Sequence, residues 1–116
     1  MAFFNSSIVK IFIPPQVTKI GDDAFTSCKK LKRIEIPNDS KLQTIGSSFL
    51  LSQIESIFIP PNVTEIGFGA FHECKNLKII EFAENSRIKN SVKDIISTNV
   101  VIMIPKELNE SFCINI

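Results

Sequence analysis

Residues 11–25 read IFIPPQVTKIGDDAF, and residues 57–71 read IFIPPNVTEIGFGAF. Eleven of the fifteen positions are identical, at an offset of 46 residues. A worn copy, IEIPNDSKLQTIGSSF, lies between them at residues 34–49. Isoleucine leads each copy, at Ile11, Ile34, Ile57 and Ile80, in three steps of 23. A weaker start, IMIP, opens at Ile102, one residue short of the step. The apolar spacing is the same each time: Leu31-x-x-Ile34-x-Ile36, Ile54-x-x-Ile57-x-Ile59 and Leu77-x-x-Ile80-x-Phe82. A fixed period of about 20–29 residues with this spacing marks a solenoid whose units stack to make one core.

The composite phrase IPPxVTxIGxxAFxxCxxLKxIxI resembles the BspA-like, or Treponema-type, leucine-rich repeat. The resemblance is good over residues 8–82 and poor over 83–105. It implies a curved stack of coils. It also implies a surface protein that binds host or matrix proteins, as many members of bacterial and parasitic-protist origin do. The family has no shared catalytic residues to carry over.

Each unit reads as three short pieces. KRIEI and ESIFI alternate apolar and polar residues, as a strand with one buried face does. Pro14, Pro37, Pro60 and Pro105 follow the strands, and proline ends a ladder because it lacks an N–H. The second piece, VTKIG, LQTIG or VTEIG, predicts a short extended segment with Val17 and Ile20, Leu42 and Ile45, and Val63 and Ile66 inward. Gly21, Gly46 and Gly67 close it, where a positive φ is expected. The third piece is too short for a full helix and predicts one tight helical turn that drops Phe25, Phe49 or Phe71 into the core. The second unit carries two extra residues between proline and glycine and loses two afterwards, so the step stays at 23.

The expected fold is mostly β. It is a leucine-rich-repeat solenoid of four to five coils of about 23 residues, with a concave parallel sheet, short second strands and single helical turns. The 116 residues form one domain by the usual size prior, with repeats at about 8–30, 31–53, 54–76 and 77–99 and a C-terminal cap over 100–116. The pattern loses its IG and AF from residue 83 onward, as terminal units that hide an open core do. A helical turn around Val92, Ile95 and Ile96 and a fifth strand over Val100–Ile104 are expected there. Phe3, Phe4 and Ile8 give a thin N-terminal cap. They leave the first strand as an exposed edge that invites pairing with a second copy.

Composition narrows the function classes. Ten Phe with no Trp and no Tyr suggest an aromatic used as filler in a repeated slot. A net charge of +1 gives no electrostatic footprint for nucleic acid. No window of 18 apolar residues offers a membrane span. The start, MAFFNSSIVKIFI, lacks a basic n-region and a long apolar run and does not read as a signal peptide. Four N-x-S/T sequons, at Asn5, Asn38, Asn62 and Asn109, exceed the number that composition leads one to expect and favour a secreted or surface life, as does the resemblance.

Three cysteines occur, at Cys28, Cys74 and Cys113. Cys28 and Cys74 share a repeat position two units apart, with Ser52 near that slot between them. Two strand spacings are roughly 10 Å, beyond the ~7 Å that a disulfide spans, so both are expected to stay thiols. No ligand set with metal-binding spacing, no phosphate-binding glycine loop and no catalytic constellation is present, so no cofactor, metal or enzyme activity is expected. The single histidine, His72, stands with Glu73 between inward Phe71 and Cys74 and should face solvent. KIIEF at residues 78–82 resembles the docking peptide of protein phosphatase 1 partners, which would suit an intracellular scaffold or phosphatase regulator. Its Ile80 and Phe82 are, however, core positions of the fourth strand.

Side chains alternate across a strand, so the residues between the apolar letters face outward. One outward column is Phe12, Glu35, Phe58, Glu81 and Met103, and a second is Lys10, Arg33, Ser56, Ile79 and Val101. Exposed phenylalanine in a regular column serves no folding purpose. Phe12, Arg33, Glu35, Phe58 and Glu81 are therefore the expected contact residues for a protein partner or a second copy of the chain.

Overall fold

The computed structural model describes residues 7–26 and 28–89, with the backbone of Val101–Met103. Alternating apolar residues that end before a proline or a turn form one strand per coil: β1 (Lys10–Phe12), β3 (Arg33–Glu35), β5 (Ser56–Ile59), β7 (Ile79–Phe82) and β8 (Val101–Met103). These five pair in parallel in the order β1-β3-β5-β7-β8. The register places Ile11 beside Ile34, Ile57 beside Ile80 and Ile80 beside Ile102. The step of 23 is thus the residue count that returns the chain to the same height one strand further on.

The VTxIG phrase forms the second sheet. Here β2 (Lys19–Ile20), β4 (Thr44–Ile45) and β6 (Glu65–Ile66) pair in parallel, with Ile20, Ile45 and Ile66 in line. Strands from the two sheets face each other across the core. Ile13, Ile34, Ile36, Ile57, Ile59, Ile80 and Phe82 meet Ile20, Leu42, Ile45, Val63 and Ile66, all buried, and the first coil's Val17 is only partly buried.

Two expectations need correction. Among the described residues, three coils, not four or five, add a strand to both sheets, while β7 and β8 extend the first sheet and the Lys89 N–H bonds the Thr64 carbonyl beside the second. The third piece of each coil contains no helix among the described residues. It is a run of i+3 turns, closed by Ala24 N–H to the Gly21 carbonyl, Cys28 to Phe25 and Leu31 to Cys28, and again by Ala70 to Gly67, Cys74 to Phe71 and Leu77 to Cys74. A helix must fix several residues before its first bond forms, and this short segment has to reverse direction at each end. The expected N-terminal cap at Phe3 and Phe4, the helical turn at Val92–Ile96 and Cys113 lie outside the described residues.

The phenylalanine slot is a stack. The Phe25 and Phe49 rings lie 5.3 Å apart at 11°, and Phe49 and Phe71 lie 5.5 Å apart at 10°. All three are buried. The ring spacing exceeds the strand spacing only slightly, which offset stacking accommodates. Next to this column Ser52 lies between the cysteine positions. The Cys74 thiol donates to the Phe49 carbonyl at 2.9 Å and sits 3.7 Å from Ser52 Oγ. Burial pushes the Cys74 thiol pKa up. Cys28 and Cys74 are buried and not bridged.

The glycines after the second strand do not need a positive φ, contrary to expectation. Gly21, Gly46 and Gly67 all lie outside the left-handed range, which is taken instead by Asp23, Leu51, Gly69 and Glu73. Gly46 and Gly67 are required by close approach of the coil before. A Cβ on Gly46 would sit 2.8 Å from the Asp22 amide nitrogen, and one on Gly67 would sit 2.6 Å from that of Ser47. Gly21 in the first coil meets nothing within 4 Å.

The two extra residues of the second coil are absorbed in a turn that buries Ser40, whose hydroxyl accepts the Leu42 N–H at 3.1 Å. The fourth coil repeats the device. Ser86 is buried and its hydroxyl accepts the Ile88 N–H at 3.3 Å. The matching phrases are IEIPNDSKL at 34–42 and IEFAENSRI at 80–88, again at an offset of 46. The structural period is therefore double, with coils of two kinds alternating.

Three outcomes follow. Phe71→Ala should lower stability by about 3–5 kcal/mol, the usual cost of truncating a buried aromatic. A denaturant midpoint shift worth under ~1 kcal/mol would place the ring outside the core. Gly67→Ala should cost about 1–3 kcal/mol by overpacking, whereas Gly21→Ala should be neutral or gain up to ~1 kcal/mol; equal losses by thermal melting would refute the close-approach account. Iodoacetamide should alkylate Cys74 only as the protein unfolds, and non-reduced peptide mapping should yield no Cys28–Cys74 linkage.

Candidate functional site

Pleating sends alternate residues of the five-stranded sheet outward. Phe12, at 53% exposure, stands beside Glu35, and Phe58, partly buried, stands beside Glu81. In the neighbouring column Lys10 lies beside Arg33, Arg33 beside Ser56, and Ser56 beside Ile79. Both outward columns read from the sequence are thus in register within the pairs β1–β3 and β5–β7, and Arg33 beside Ser56 joins the two pairs. The rings lie on the outer face and not in the core.

Six of these side chains border one depression of about 360 Å3. Phe12, Phe58 and Ile79 supply its apolar walls, and Glu35, Glu81 and Ser56 its polar ones. Of the five expected contact residues, the depression gathers Phe12, Glu35, Phe58 and Glu81. Arg33 is exposed on the same face but does not line it. Glu35 is engaged by Lys10, whose Nζ lies 3.3 Å from its carboxylate across the strand pair. Both groups are about half exposed, so this pair contributes little to stability. It does fix where a lysine ammonium settles on this face.

A second depression, of about 340 Å3, opens beside the first coil between Ile11, Ile13, Val17, Ile20 and Phe25. Among the described strands β1 and β2 are the edges on that side.

One surface feature was missed by the strand-by-strand reading of the sequence. Phe68 is 76% exposed, with its ring 6.1 Å from that of His72, which is itself partly buried. Phe68 occupies the place of Asp22 and Ser47 in the earlier coils, where Asp22 Oδ1 accepts the Ser47 N–H at 2.9 Å and Ser47 Oγ donates to the Phe68 carbonyl at 2.8 Å. The signal was there: alignment of the coils puts an aromatic in a polar column. Glu73 faces solvent as expected. Ile80 and Phe82 of KIIEF are buried at 0% and 3% exposure, so that stretch cannot serve as a docking peptide in the folded chain.

Among the described residues no group of three or more His, Cys, Asp or Glu could hold a metal ion, and no helix is long and apolar enough to cross a membrane.

The fold and the repeat agree with comparisons to known proteins. The chain is similar over 73% of its length to the crystal structure of a leucine rich cell surface protein from Faecalibacterium prausnitzii A2-165, with a TM-score of 0.62 and 29% identity. It spans 22% of that protein's chain. No curated protein matches it at a significant level. The BspA type Leucine rich repeat region matches residues 1–109 in six copies. With one repeat phrase running through nearly the whole sequence and the stacked parallel coils that phrase builds, the chain belongs to the BspA-type leucine-rich repeat family.

Proposed function

We propose that this chain is a non-catalytic protein-binding module of a surface protein, and that it recognises its partner with the outer face of the five-stranded sheet. The observation that carries this reading is the register of Phe12 and Phe58 on that face, around one depression that also holds Glu35 and Glu81. A protein gains nothing in folding from a half-exposed phenylalanine in water, whereas aromatics are enriched where partners dock. Arg33 stands at the rim, where a charge sets orientation and on-rate more than affinity. Surface placement draws support from the similar cell surface protein and from exposed Asn38, which sits in a sequon. The intracellular phosphatase-regulator reading loses its motif, because Ile80 and Phe82 are core residues. Self-association through the β1 edge remains the second reading, favoured by the apolar depression beside the first coil.

The test pairs Phe12→Ser with Phe58→Ser. The double variant should melt within a few degrees of the parent and lose retention on immobilised extracellular-matrix proteins that the parent binds. Analytical ultracentrifugation of both forms reports the second reading. Undiminished matrix binding by a folded double variant would move the contact surface off this sheet face.

A further inference from the structure

The 46-residue period lets the protein be compared with itself. Lys10, Phe12, Arg33 and Glu35 of the first two coils correspond to Ser56, Phe58, Ile79 and Glu81 of the third and fourth. The strand registers are equivalent: Phe12 lies beside Glu35 as Phe58 lies beside Glu81, and Lys10 beside Arg33 as Ser56 beside Ile79. In the first pair of coils the lysine stem crosses the strand pair and its ammonium sits 3.3 Å from the glutamate. In the second pair the glutamate and the ring are kept, but both cations are gone. The lysine is replaced by a short hydroxyl and the arginine by an apolar side chain. Glu81 is exposed and makes no ion pair among the described residues.

We propose that the place vacated at Ser56 is a subsite for a lysine or arginine side chain of a protein partner, bound as Lys10 binds within the chain. This rests on the outer sheet face being the binding face. The apolar stem of the guest lies between Phe58 and Ile79, and its cation reaches the Glu81 carboxylate beside the Phe58 ring. The lining of the depression supplies each part: Ser56 leaves room, Phe58 and Ile79 give apolar walls, and Glu81 gives the charge. Long basic side chains bury their stems against apolar surface while keeping the head near water and a counter-charge. A cation held by a carboxylate and an aromatic face is discriminated from an uncharged chain of the same length. Glu35 is the occupied counterpart of this subsite, because Lys10 already engages it. The partner therefore presents an extended or loop segment bearing a basic residue, and acetylation of a lysine there would weaken its recognition.

The experiment is a 1H–15N titration of the whole chain with the peptide acetyl-Ser-Val-Lys-Val-Ser-amide and with its norleucine counterpart. The lysine peptide should shift Ser56, Phe58, Ile79 and Glu81 and bind about fivefold more tightly than the norleucine peptide, the contrast that one exposed ion pair and one cation–π contact provide. Glu81→Gln should erase that contrast. Ser56→Lys should abolish the lysine-dependent shifts by supplying the cation from within, and both variants alter exposed side chains and should fold as the parent does. Equal binding of the two peptides would overturn the cation subsite while leaving the sheet face as a binding surface. Absence of shifts at these residues would also overturn the subsite, and retention of the double serine variant on matrix proteins judges the binding face separately. Lysine-dependent shifts at Lys10 and Glu35 instead would show displacement of the internal pair and likewise refute the assignment.

Discussion

Everything in this molecule depends on the distance between one coil and the next. Two parallel sheets bind each coil to its neighbour, and strand pairing holds backbones about 4.8 Å apart. That separation is set by hydrogen bonds and cannot be adjusted by side chains. The core must therefore be made of groups that repeat at this spacing. Flat rings do, which accounts for phenylalanine as the aromatic of the slot and for the 5.3 and 5.5 Å ring separations. Glycine is needed where two backbones approach with no side chain between them, as at Gly46 and Gly67. Two cysteines in equivalent positions of alternate coils are too far apart to bridge, and Cys74 instead uses its thiol to bond the Phe49 carbonyl. No coil has a core of its own, so stability is a sum of contacts between neighbours.

The architecture was legible because it follows from period and alternation. Ile11, Ile34, Ile57 and Ile80 announce the step, and the residues between apolar letters announce the outer face. The departures have one common origin: they arise from contacts between coils, which a single unit does not display. Read alone, the IG phrase suggests a turn glycine. Only the approach of Asp22 and Ser47 shows the true constraint. The strands of the first sheet outnumber those of the second among the described residues because the IG phrase is missing after Ile80. The serine turn at Ser86 was hidden by proline giving way to alanine, although the buried hydroxyl does the same work as at Ser40.

The outer face of the five-stranded sheet illustrates the same division. Which residues point outward was plain from alternation. Which of them are available was not, because availability depends on neighbours across the sheet. Glu35 and Glu81 look alike in sequence and differ in structure through what stands diagonally across from them, Lys10 in one case and Ser56 in the other. Phe68 shows the converse, an aromatic that the local phrase makes look like a core residue and that the coil alignment puts in a polar column on the surface. Repeats preserve the fold at their inward letters and leave their outward letters free to vary.

The direction of the backbone pairing has a mechanical consequence. The hydrogen bonds of both sheets run along the stacking axis, from coil to coil. A tensile force applied between the two ends of the stack would meet these bonds one coil at a time, as in opening a zip, and not all together as in shear. Each coil of 23 residues that peels away would release about 75 Å of chain. A stack built this way can lengthen in steps under load and restack when the load falls.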